Sequence, residues 1–322
     1  MGFSKKDILD VQTSQKKAGK VAWKQSFMKI QFPRSLSFSV IEGNFKESIA
    51  ALERSISLQS VQKPSSLRLD VMVQEHLTHQ LTFIPSSPPP SVKAGKTPFR
   101  PQMALVIDDL GEEVQVSQEL LRWNVPITFS ILPYTSRGKS LALEAHQKGK
   151  EIILHLPMEP QGYPKANPGK GVLLHDMTPE QLRRQLLEDI EAIPHIKGVS
   201  NHMGSRLMED GGTLRIILSE LKKRDLYFLD SRTSAQTVGL ETARSLGLRA
   251  GERNVFLDHT SGEEAVKQSV ERLIQLSLSH GKAIGIGHPH TDTLKTLKAM
   301  IPKIQARGIE IVPVSEILGG DE

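Results

Sequence analysis

The sequence lacks cysteine, long apolar runs and nucleotide-binding glycine loops, and each absence excludes a class of protein. Its 322 residues include no cysteine, which excludes disulfides, thiolate metal ligands and thiol nucleophiles. No stretch reaches the roughly 18 apolar residues of a membrane-spanning helix. No Gly-x-Gly-x-x-Gly follows a predicted strand, and neither a complete phosphate loop nor a Gly-x-Ser-x-Gly elbow is present. These absences argue against nucleotide-dependent enzymes and serine hydrolases.

Aromatic residues are also scarce, at 5% of the sequence. The net charge is +5, but Lys and Arg are spread along the chain. A nucleic-acid-binding protein more often combines a basic stripe with interleaved aromatic side chains. We therefore expect no nucleic-acid partner. The hydrophobic content of 38% and charged content of 24% are sufficient for a buried core.

The first 20 residues carry charge but no apolar segment, so they do not form a secretory signal peptide. Either the protein is cytosolic, or a targeting segment is missing from this sequence. The absence of cysteine is compatible with an oxidising compartment but does not establish one.

The pattern of residues divides the chain into four parts. Residues 1–32 are polar and weakly patterned, which predicts a flexible or marginally helical lead-in. Residues 33–85 predict a small α+β domain of the βαββ type. Residues 86–101 are rich in proline and predict a semi-rigid linker. Residues 102–322 form the large domain.

The small domain is predicted from alternation and from one helix start. Its predicted elements, in order, are a strand at 35–41, a helix that begins with the capping-box pair Asn44 and Glu47 and continues through Leu52 and Ile56, and a hairpin of strands at 67–73 and 77–84.

The large domain alternates short apolar runs with amphipathic stretches, which predicts parallel strands connected by helices. Strands are predicted near 103–107, 125–132, 151–156, 197–202, 226–230, 253–258, 283–287 and 309–314. Helices are predicted near 113–123, 138–148, 178–193, 212–224, 262–279 and 291–307. Seven or eight such units favour a closed or nearly closed barrel.

Polar clusters follow five of these predicted strands. They are Asp108-Asp109, His155-Leu-Pro-Met-Glu159, Asn201-His202-Met-Gly-Ser205, Asp230-Ser-Arg232 and Gly287-His288-Pro-His290. Because the carboxyl ends of parallel strands meet at one rim, we expect these side chains to share a pocket. Carboxylates and imidazoles gathered there suggest a metal site or acid–base catalysis.

Taken singly, the first two clusters leave alternatives open. Asp108 and Asp109 alone are typical of a solvated turn. Because neighbours in a strand point to opposite faces, at most one of them need face a metal, while the other contacts a bound water or a neighbouring side chain. His155 and Glu159 fit a shared zinc ion, but they fit a buried histidine beside a surface acid equally well.

The later clusters also have structural interpretations. Asn201, His202 and Ser205 fit a loop whose polar groups bind their own backbone. Asp230 and Arg232 suit an ion pair that holds the rim together. Asp258-His259 suits a local pair, and His290 suits an exposed turn.

Taken together and in order, these segments resemble the divergent polysaccharide deacetylase family over about residues 102–318. The segments are Val106-Ile-Asp-Asp-Leu-Gly111, Pro126-Ile-Thr-Phe-Ser-Ile-Leu132, Gly149-Lys-Glu-Ile-Ile-Leu-His-Leu-Pro-Met-Glu-Pro160, Asn201-His-Met-Gly-Ser205, Leu229-Asp-Ser-Arg-Thr233 and Gly285-Ile-Gly-His-Pro289. The resemblance implies a distorted (β/α)7 barrel, a relation to metal-dependent deacetylases, and a periplasmic or other cell-envelope location.

The resemblance also implies a role for each residue of the site. Asp108 would be the catalytic base, His288 the general acid, and Asp109, His155 and His202 the ligands of a divalent metal, with zinc expected. Glu159 stands where related enzymes have a second histidine, so it would be a fourth ligand or orient a ligand. Asn201, Ser205, Asp230 and Arg232 would support the site or contact substrate.

The expected function is hydrolysis of an N-acetyl or O-acetyl group on a glycan. One alternative is a non-catalytic envelope module that binds glycan or a partner protein through a degenerate barrel. Another is a glycosidase using two of Asp108, Asp109, Glu159 and Asp230, which requires a carboxyl pair roughly 5–9 Å apart with no metal between them.

Overall fold

The computed structural model describes residues 8–19, 21–32, 38–50, 56–63, 65–85 and 100–318. The chain divides into two units, Met1–Pro98 and Phe99–Glu322, which are described separately below. None of the described helices is both long enough and apolar enough to cross a lipid bilayer.

The described residues of the first unit form a five-stranded sheet and one helix. The sheet order is β1-β2-β5-β4-β3, with β2 and β5 parallel and the other pairs antiparallel. Its core contains Phe32, Ile41, Leu67 and Phe83. The elements are β1 Ile8–Ala18, β2 Val21–Phe32, α1 Phe38–Ala50, β3 Ile56–Lys63, β4 Ser66–Val73 and β5 His76–Pro85.

The predicted flexible lead-in is wrong for the described residues between 8 and 32, which form the antiparallel pair β1 and β2. The two strands meet at Gly19, whose φ of 60° suits a residue without a side chain. The strand β1 is almost entirely exposed. It therefore has no buried face to impose apolar alternation, which is why the sequence does not reveal it.

Two further predictions in this unit are corrected. The strand predicted at 35–41 is wrong for 38–41, where α1 begins at Phe38; residues 35–37 lie outside the described residues. The predicted helix does not include Ile56, which begins the strand β3. The hairpin predicted at 67–73 and 77–84 is confirmed by β4 and β5. Most of the proline-rich linker, residues 86–99, lies outside the described residues.

The second unit is a curled sheet of parallel strands flanked by helices, and it confirms the predicted distorted barrel. The strand order is β11-β10-β9-β8-β7-β6-β13-β12, with β14 pairing with one end of β6. The strands are β6 Gln102–Leu110, β7 Thr128–Ile131, β8 Glu151–Met158, β9 Gly198–Met203, β10 Tyr227–Asp230, β11 Ala250–Glu252, β12 Val255–Phe256, β13 Lys282–Gly287 and β14 Glu310–Ile311. The helices are α2 Val114–Arg122, α3 Gly138–Gln147, α4 Pro179–Ala192, α5 Gly211–Lys223, α6 Gly239–Ser245, α7 Glu263–His280, α8 Thr291–Ala306 and α9 Val314–Leu318.

All six helices predicted in this domain are present, and local signals explain their ends. The helix α4 begins with a capping box, in which the Thr178 hydroxyl accepts from the Gln181 amide and the Gln181 side chain accepts from the Thr178 amide. The helix α7 ends at Gly281, whose φ of 82° is left-handed. The short helices α6 and α9 were not predicted. At 309–314, β14 covers only Glu310–Ile311, and α9 begins at Val314.

A short segment closes the opening of the curled sheet. The edge strand β11 pairs with β10, the opposite edge strand β12 pairs with β13, and only Arg253 and Asn254 separate β11 from β12. The Arg253 amide donates to the Asp230 carbonyl, and the Asn254 amide donates to the Ile284 carbonyl. The chain therefore bridges the two edges itself.

The two faces of the sheet bury different cores. The outer face packs against the helices through residues such as Leu105, Phe129 and Leu154. The inner face fills the barrel with a smaller cluster that includes Val106 and Ile153. Along β6 and β8, two residues beyond this inner cluster lie Asp108 and His155. Alternation along the strands therefore carries polar side chains to the carboxyl rim of the barrel.

Candidate metal centre

The end of β6 is distorted in a way that brings two consecutive aspartates to the rim. Val106 and Ile107 pair in register with β7, but the next pair is Leu110 with Ile131, so the register shifts across Asp108 and Asp109. Asp109 adopts a φ of 58° in the left-handed region. Both side chains approach His155, Asp109 at its Nε2 atom and Asp108 at its Nδ1 atom.

Three side chains from three strands converge on a small triangle. The Asp109 Oδ1 atom lies 3.1 Å from His155 Nε2 and 3.0 Å from His202 Nδ1. The two imidazole nitrogens lie 3.1 Å apart. The triangle joins β6, β8 and β9, which are close neighbours in the sheet. The structure therefore brings together the three side chains that were predicted as metal ligands.

The triangle fits a divalent cation in both dimensions and chemistry. Zinc binds nitrogen and oxygen at about 2.0–2.1 Å, which places tetrahedral ligands roughly 3.3 Å apart. The Asp109 Oδ1 atom is buried. Both imidazoles lie close to it, but no described residue forms a hydrogen bond of good geometry with it. Burial would raise the pKa of Asp109, but the adjacent His155 and His202 outweigh it and hold that pKa well below its usual range. The carboxylate is therefore ionised, as a metal ligand must be.

A buried hydroxyl pair supports His155 from the side away from Asp109. The His155 Nδ1 atom lies 2.9 Å from Ser200 Oγ, which in turn lies 2.9 Å from Ser130 Oγ. The same Nδ1 atom lies 3.6 Å from Asp108 Oδ1. A proton on Nδ1 leaves the Nε2 lone pair directed at the triangle. Sequence reasoning missed Ser130 and Ser200, although both lie at inward positions of predicted strands.

His288 stands on the opposite side of Asp109 and is held by Asp258. Its Nε2 atom lies 3.9 Å from Asp109 Oδ2, and its Nδ1 atom lies 3.0 Å from Asp258 Oδ1. Asp258 Oδ2 also accepts from the His288 amide at 2.6 Å and from the Thr293 hydroxyl at 2.8 Å. Burial would lower the pKa of His288, but the hydrogen bond and charge of Asp258 outweigh it and raise that pKa.

Asp258 was interpreted from sequence as a local partner of His259, but its contacts are with His288 and Thr293, which lie 30 or more residues later. Asp258, His288 and His290 form a second group of potential ligand atoms. Both oxygens of Asp258 already accept hydrogen bonds, so this group is less suited to a cation than the triangle is.

Glu159 lies outside the triangle and holds neighbouring loops together. Its carboxylate forms a salt bridge with Arg206 and accepts from the His175 amide at 2.6 Å. Asn201 is fully buried and links the ends of β9 and β10, since it accepts from the Ser231 amide at 2.8 Å. The Ser205 hydroxyl accepts from the Gln161 amide.

Asp230 and Arg232 do not form the ion pair suggested by the sequence. The Asp230 carboxylate accepts from the Arg232 backbone amide at 2.8 Å and from the Thr237 hydroxyl at 2.7 Å. The Arg232 guanidinium instead pairs with Glu252 at 3.0 Å. Asp230 therefore organises the loop that follows β10.

The sequence of residues 105–318 matches the divergent polysaccharide deacetylase family. The chain belongs to this family. An uncharacterized protein named YibQ from Escherichia coli (strain K12) is 31% identical over 217 residues, which cover 67% of this chain and 67% of the relative. An uncharacterized protein from Haemophilus influenzae is 30% identical over 62% of this chain and 70% of its own length.

A solved structure has a similar fold. The crystal structure of the uncharacterized protein ATU2773 from Agrobacterium tumefaciens C58 has a TM-score of 0.65 and 27% identity, and it covers 69% of this chain and 92% of that one. The barrel domain therefore has a structural counterpart among solved proteins.

The rim of the barrel combines three kinds of chemical group. The triangle offers one carboxylate oxygen and two imidazole nitrogens, a donor set suited to zinc. Asp108 is almost fully buried, and within the described residues its Oδ1 atom has no hydrogen-bond partner. The His288–Asp258 pair supplies an oriented imidazole. Asp108, the triangle and the His288–Asp258 pair thus lie next to one another at the carboxyl rim of the barrel.

Proposed function

We propose that this protein is a metal-dependent hydrolase that removes acetyl groups from a carbohydrate. The triangle of Asp109 Oδ1, His155 Nε2 and His202 Nδ1, with sides of 3.0–3.1 Å, carries the proposal. Membership of the divergent polysaccharide deacetylase family supports an acetylated glycan as substrate.

A divalent cation, most suitably zinc, would be held by these three residues and would activate water and polarise the acyl carbonyl. Asp108 has the role of general base. It is buried next to His155, and its unpartnered Oδ1 atom is free to accept a proton from the attacking water. Backbone amides near Gly204 and Ser205 would stabilise the developing oxyanion.

His288 has the role of general acid towards the departing amine or alcohol. The carboxylate of Asp258 fixes the Nδ1 side of the ring, which leaves Nε2 directed towards Asp109 and the reaction centre. The arrangement resembles a positioned imidazole–carboxylate pair, in which the carboxylate orients the ring and stabilises its charged form.

The contacts of the remaining carboxylates disfavour a glycosidase. Glu159 is engaged by Arg206 and the His175 amide, and Asp230 is engaged by Thr237 and the Arg232 amide. Neither carboxylate is free to protonate or attack a glycosidic bond. We also propose a cell-envelope location, because acetylated glycans occur there.

The test combines zinc analysis with acetate release. Wild-type protein loaded with zinc is expected to bind one equivalent and to release acetate from N-acetylated chitooligosaccharides or O-acetylated xylan, and chelation is expected to abolish that release. Asp109→Ala and His202→Ala should lose zinc, whereas His280→Ala, at an exposed position in α7, should retain it. Full zinc occupancy in both ligand variants would end the ligand assignment.

Catalysis is tested separately by Asp108→Asn and His288→Gln. Both variants should release acetate at least about 100-fold more slowly than wild type. If the wild-type protein binds zinc but releases no acetate from any acetylated glycan, and binds glycan equally well with or without chelator, the protein is instead a binding module on a degenerate barrel.

A further inference from the structure

A cleft of about 840 Å³ adjoins the candidate site and is strongly basic. The described side chains that line it include Arg232, Arg253, Arg272 and His259, and no Asp or Glu is among them. Its volume lies in the range typical of ligand-binding clefts. Three of the 13 residues that line the cleft are arginines, whereas the net charge of the whole 322-residue chain is only +5.

Phe256 connects this cleft to the catalytic residues. The Arg253 guanidinium lies over the Phe256 ring, 4.8 Å from its centroid. The same ring contacts His288 edge to face, with centroids 5.1 Å apart. A ligand in the cleft thus shares a wall with the proposed general acid, so one molecule can occupy both places.

The arginines retain capacity for an anion. Arg253 donates from Nε to the Ser231 carbonyl at 2.7 Å and from Nη2 to the Arg232 carbonyl at 3.1 Å. Three of its five N–H donors have no hydrogen-bond acceptor within the described part of the chain. Arg272 is exposed and forms no ion pair with any described residue. Arg232 has one carboxylate partner, Glu252.

Arg253 is partly buried and lies near a second positive charge, so a bound anion would stabilise its charged form. Burial lowers the pKa of Arg253, and the like charge of Arg232 lowers it further, while the carboxylates of Asp108, Asp230 and Glu252 act in the opposite direction. Arg232 itself adopts a left-handed φ of 52°, and the Asp230 carboxylate holds its backbone amide in place. Backbone strain of this kind in a non-glycine residue is concentrated at functional sites.

We propose that the cleft binds an anionic group of the substrate, so that the preferred substrate is an acidic acetylated glycan. This inference rests on the proposed function, because it places the acidic group of the glycan next to the sugar that would be deacetylated. Carboxylate and phosphate are the groups that guanidinium binds in a bidentate manner, and both belong to acidic glycans.

The test compares two probes that both contain N-acetylglucosamine. A hyaluronan hexasaccharide carries alternating carboxylates, and fully N-acetylated chitohexaose carries none. Calorimetry on the full chain is expected to show hyaluronan binding at least about tenfold tighter at low salt, with the difference shrinking as salt is added. Competition by glucuronate and by glucose 6-phosphate distinguishes a carboxylate site from a phosphate site.

Arg272→Gln should weaken hyaluronan binding about tenfold and leave chitohexaose binding unchanged. Arg184→Gln is the matched control, since Arg184 is exposed on α4 and does not line the cleft. Equal affinity for the two hexasaccharides would overturn the proposal. So would tighter binding of single-stranded DNA that also depends on Arg272.

The binding measurement and the acetate-release measurement can give negative results independently, so the two proposals are tested separately. Hyaluronan binding that requires Arg272 but yields no acetate from any acetylated glycan would sink the hydrolase proposal alone. Acetate release that is insensitive to Arg272→Gln on acidic and neutral substrates alike would sink the acidic-glycan proposal alone.

Discussion

Asp189 on α4 gives the sharpest quantitative prediction, because it is a fully buried carboxyl group without a cationic partner among the described residues. Its Oδ1 atom accepts from Gln185 Nε2 at 2.9 Å, while Oδ2 has no hydrogen-bond partner within the described chain. Burial raises the pKa of Asp189 from its usual 3.8 to about 7. The folded protein therefore holds this proton far more tightly than the unfolded chain does.

The sign and size of the effect follow from proton linkage. The stabilisation from this proton is fully present below pH 3.8, and it is lost as the pH rises through about 7. At ~1.36 kcal/mol per pH unit, the total is on the order of 4 kcal/mol. About 3 kcal/mol of this falls between pH 5 and pH 8. Asp189→Asn, which is neutral at every pH, should remove this part of the pH dependence.

The assay can be confined to the barrel. The chain has 2 tryptophans, Trp23 in the first unit and Trp123 in the second. In a Trp23→Phe background, urea unfolding followed by Trp123 fluorescence reports on the barrel alone. Glu191→Gln, at an exposed position on the same helix, is the control and should behave as wild type. Identical pH dependence in the Asp189→Asn and parent proteins would refute the reasoning.

Three further predictions concern zinc affinity, packing and helix capping. Ser200→Ala removes the hydroxyl that supports His155, so zinc affinity measured by competition with a fluorescent chelator should fall roughly 10- to 100-fold; an unchanged affinity would contradict this support. Gly198→Ala would place a Cβ atom against the fully buried Tyr227 ring, so the free energy of unfolding measured in urea should fall by about 1–3 kcal/mol. An unchanged free energy of unfolding would mean that the ring moves freely. Thr178→Ala should cost about 1 kcal/mol in the same assay because the capping box is lost, whereas Thr178→Ser should retain most of the stability.

The arrangement of the candidate site could be predicted from sequence wherever it follows from strand order. Asp109, His155 and His202 each follow an apolar run, and parallel strands bring such positions to one rim. The bulge at the end of β6 could not be predicted, since strict alternation separates Asp108 from Asp109. A one-residue change in register is set by tertiary packing and has no clear signature in the chain.

Other features escaped prediction because their partners are distant in sequence. Asp258 has a histidine beside it, which made a local pair the simplest interpretation, but it contacts His288. The basic cleft combines Arg232, Arg253 and Arg272 from separate elements, so no window of the sequence shows a basic cluster. The edge strand β1 is exposed along nearly its whole length and leaves no periodic apolar pattern.

The central place of β6 in the sheet has a consequence for how the chain must fold during synthesis. This strand is made first in its domain, yet one of its neighbours, β13, is made roughly 180 residues later. A ribosome-bound chain that already carries β6 through β10 therefore presents an unpaired strand edge to other nascent proteins. Pairing over such a long separation is slow. We expect the interval before β13 emerges to be the period in which this protein most needs a chaperone.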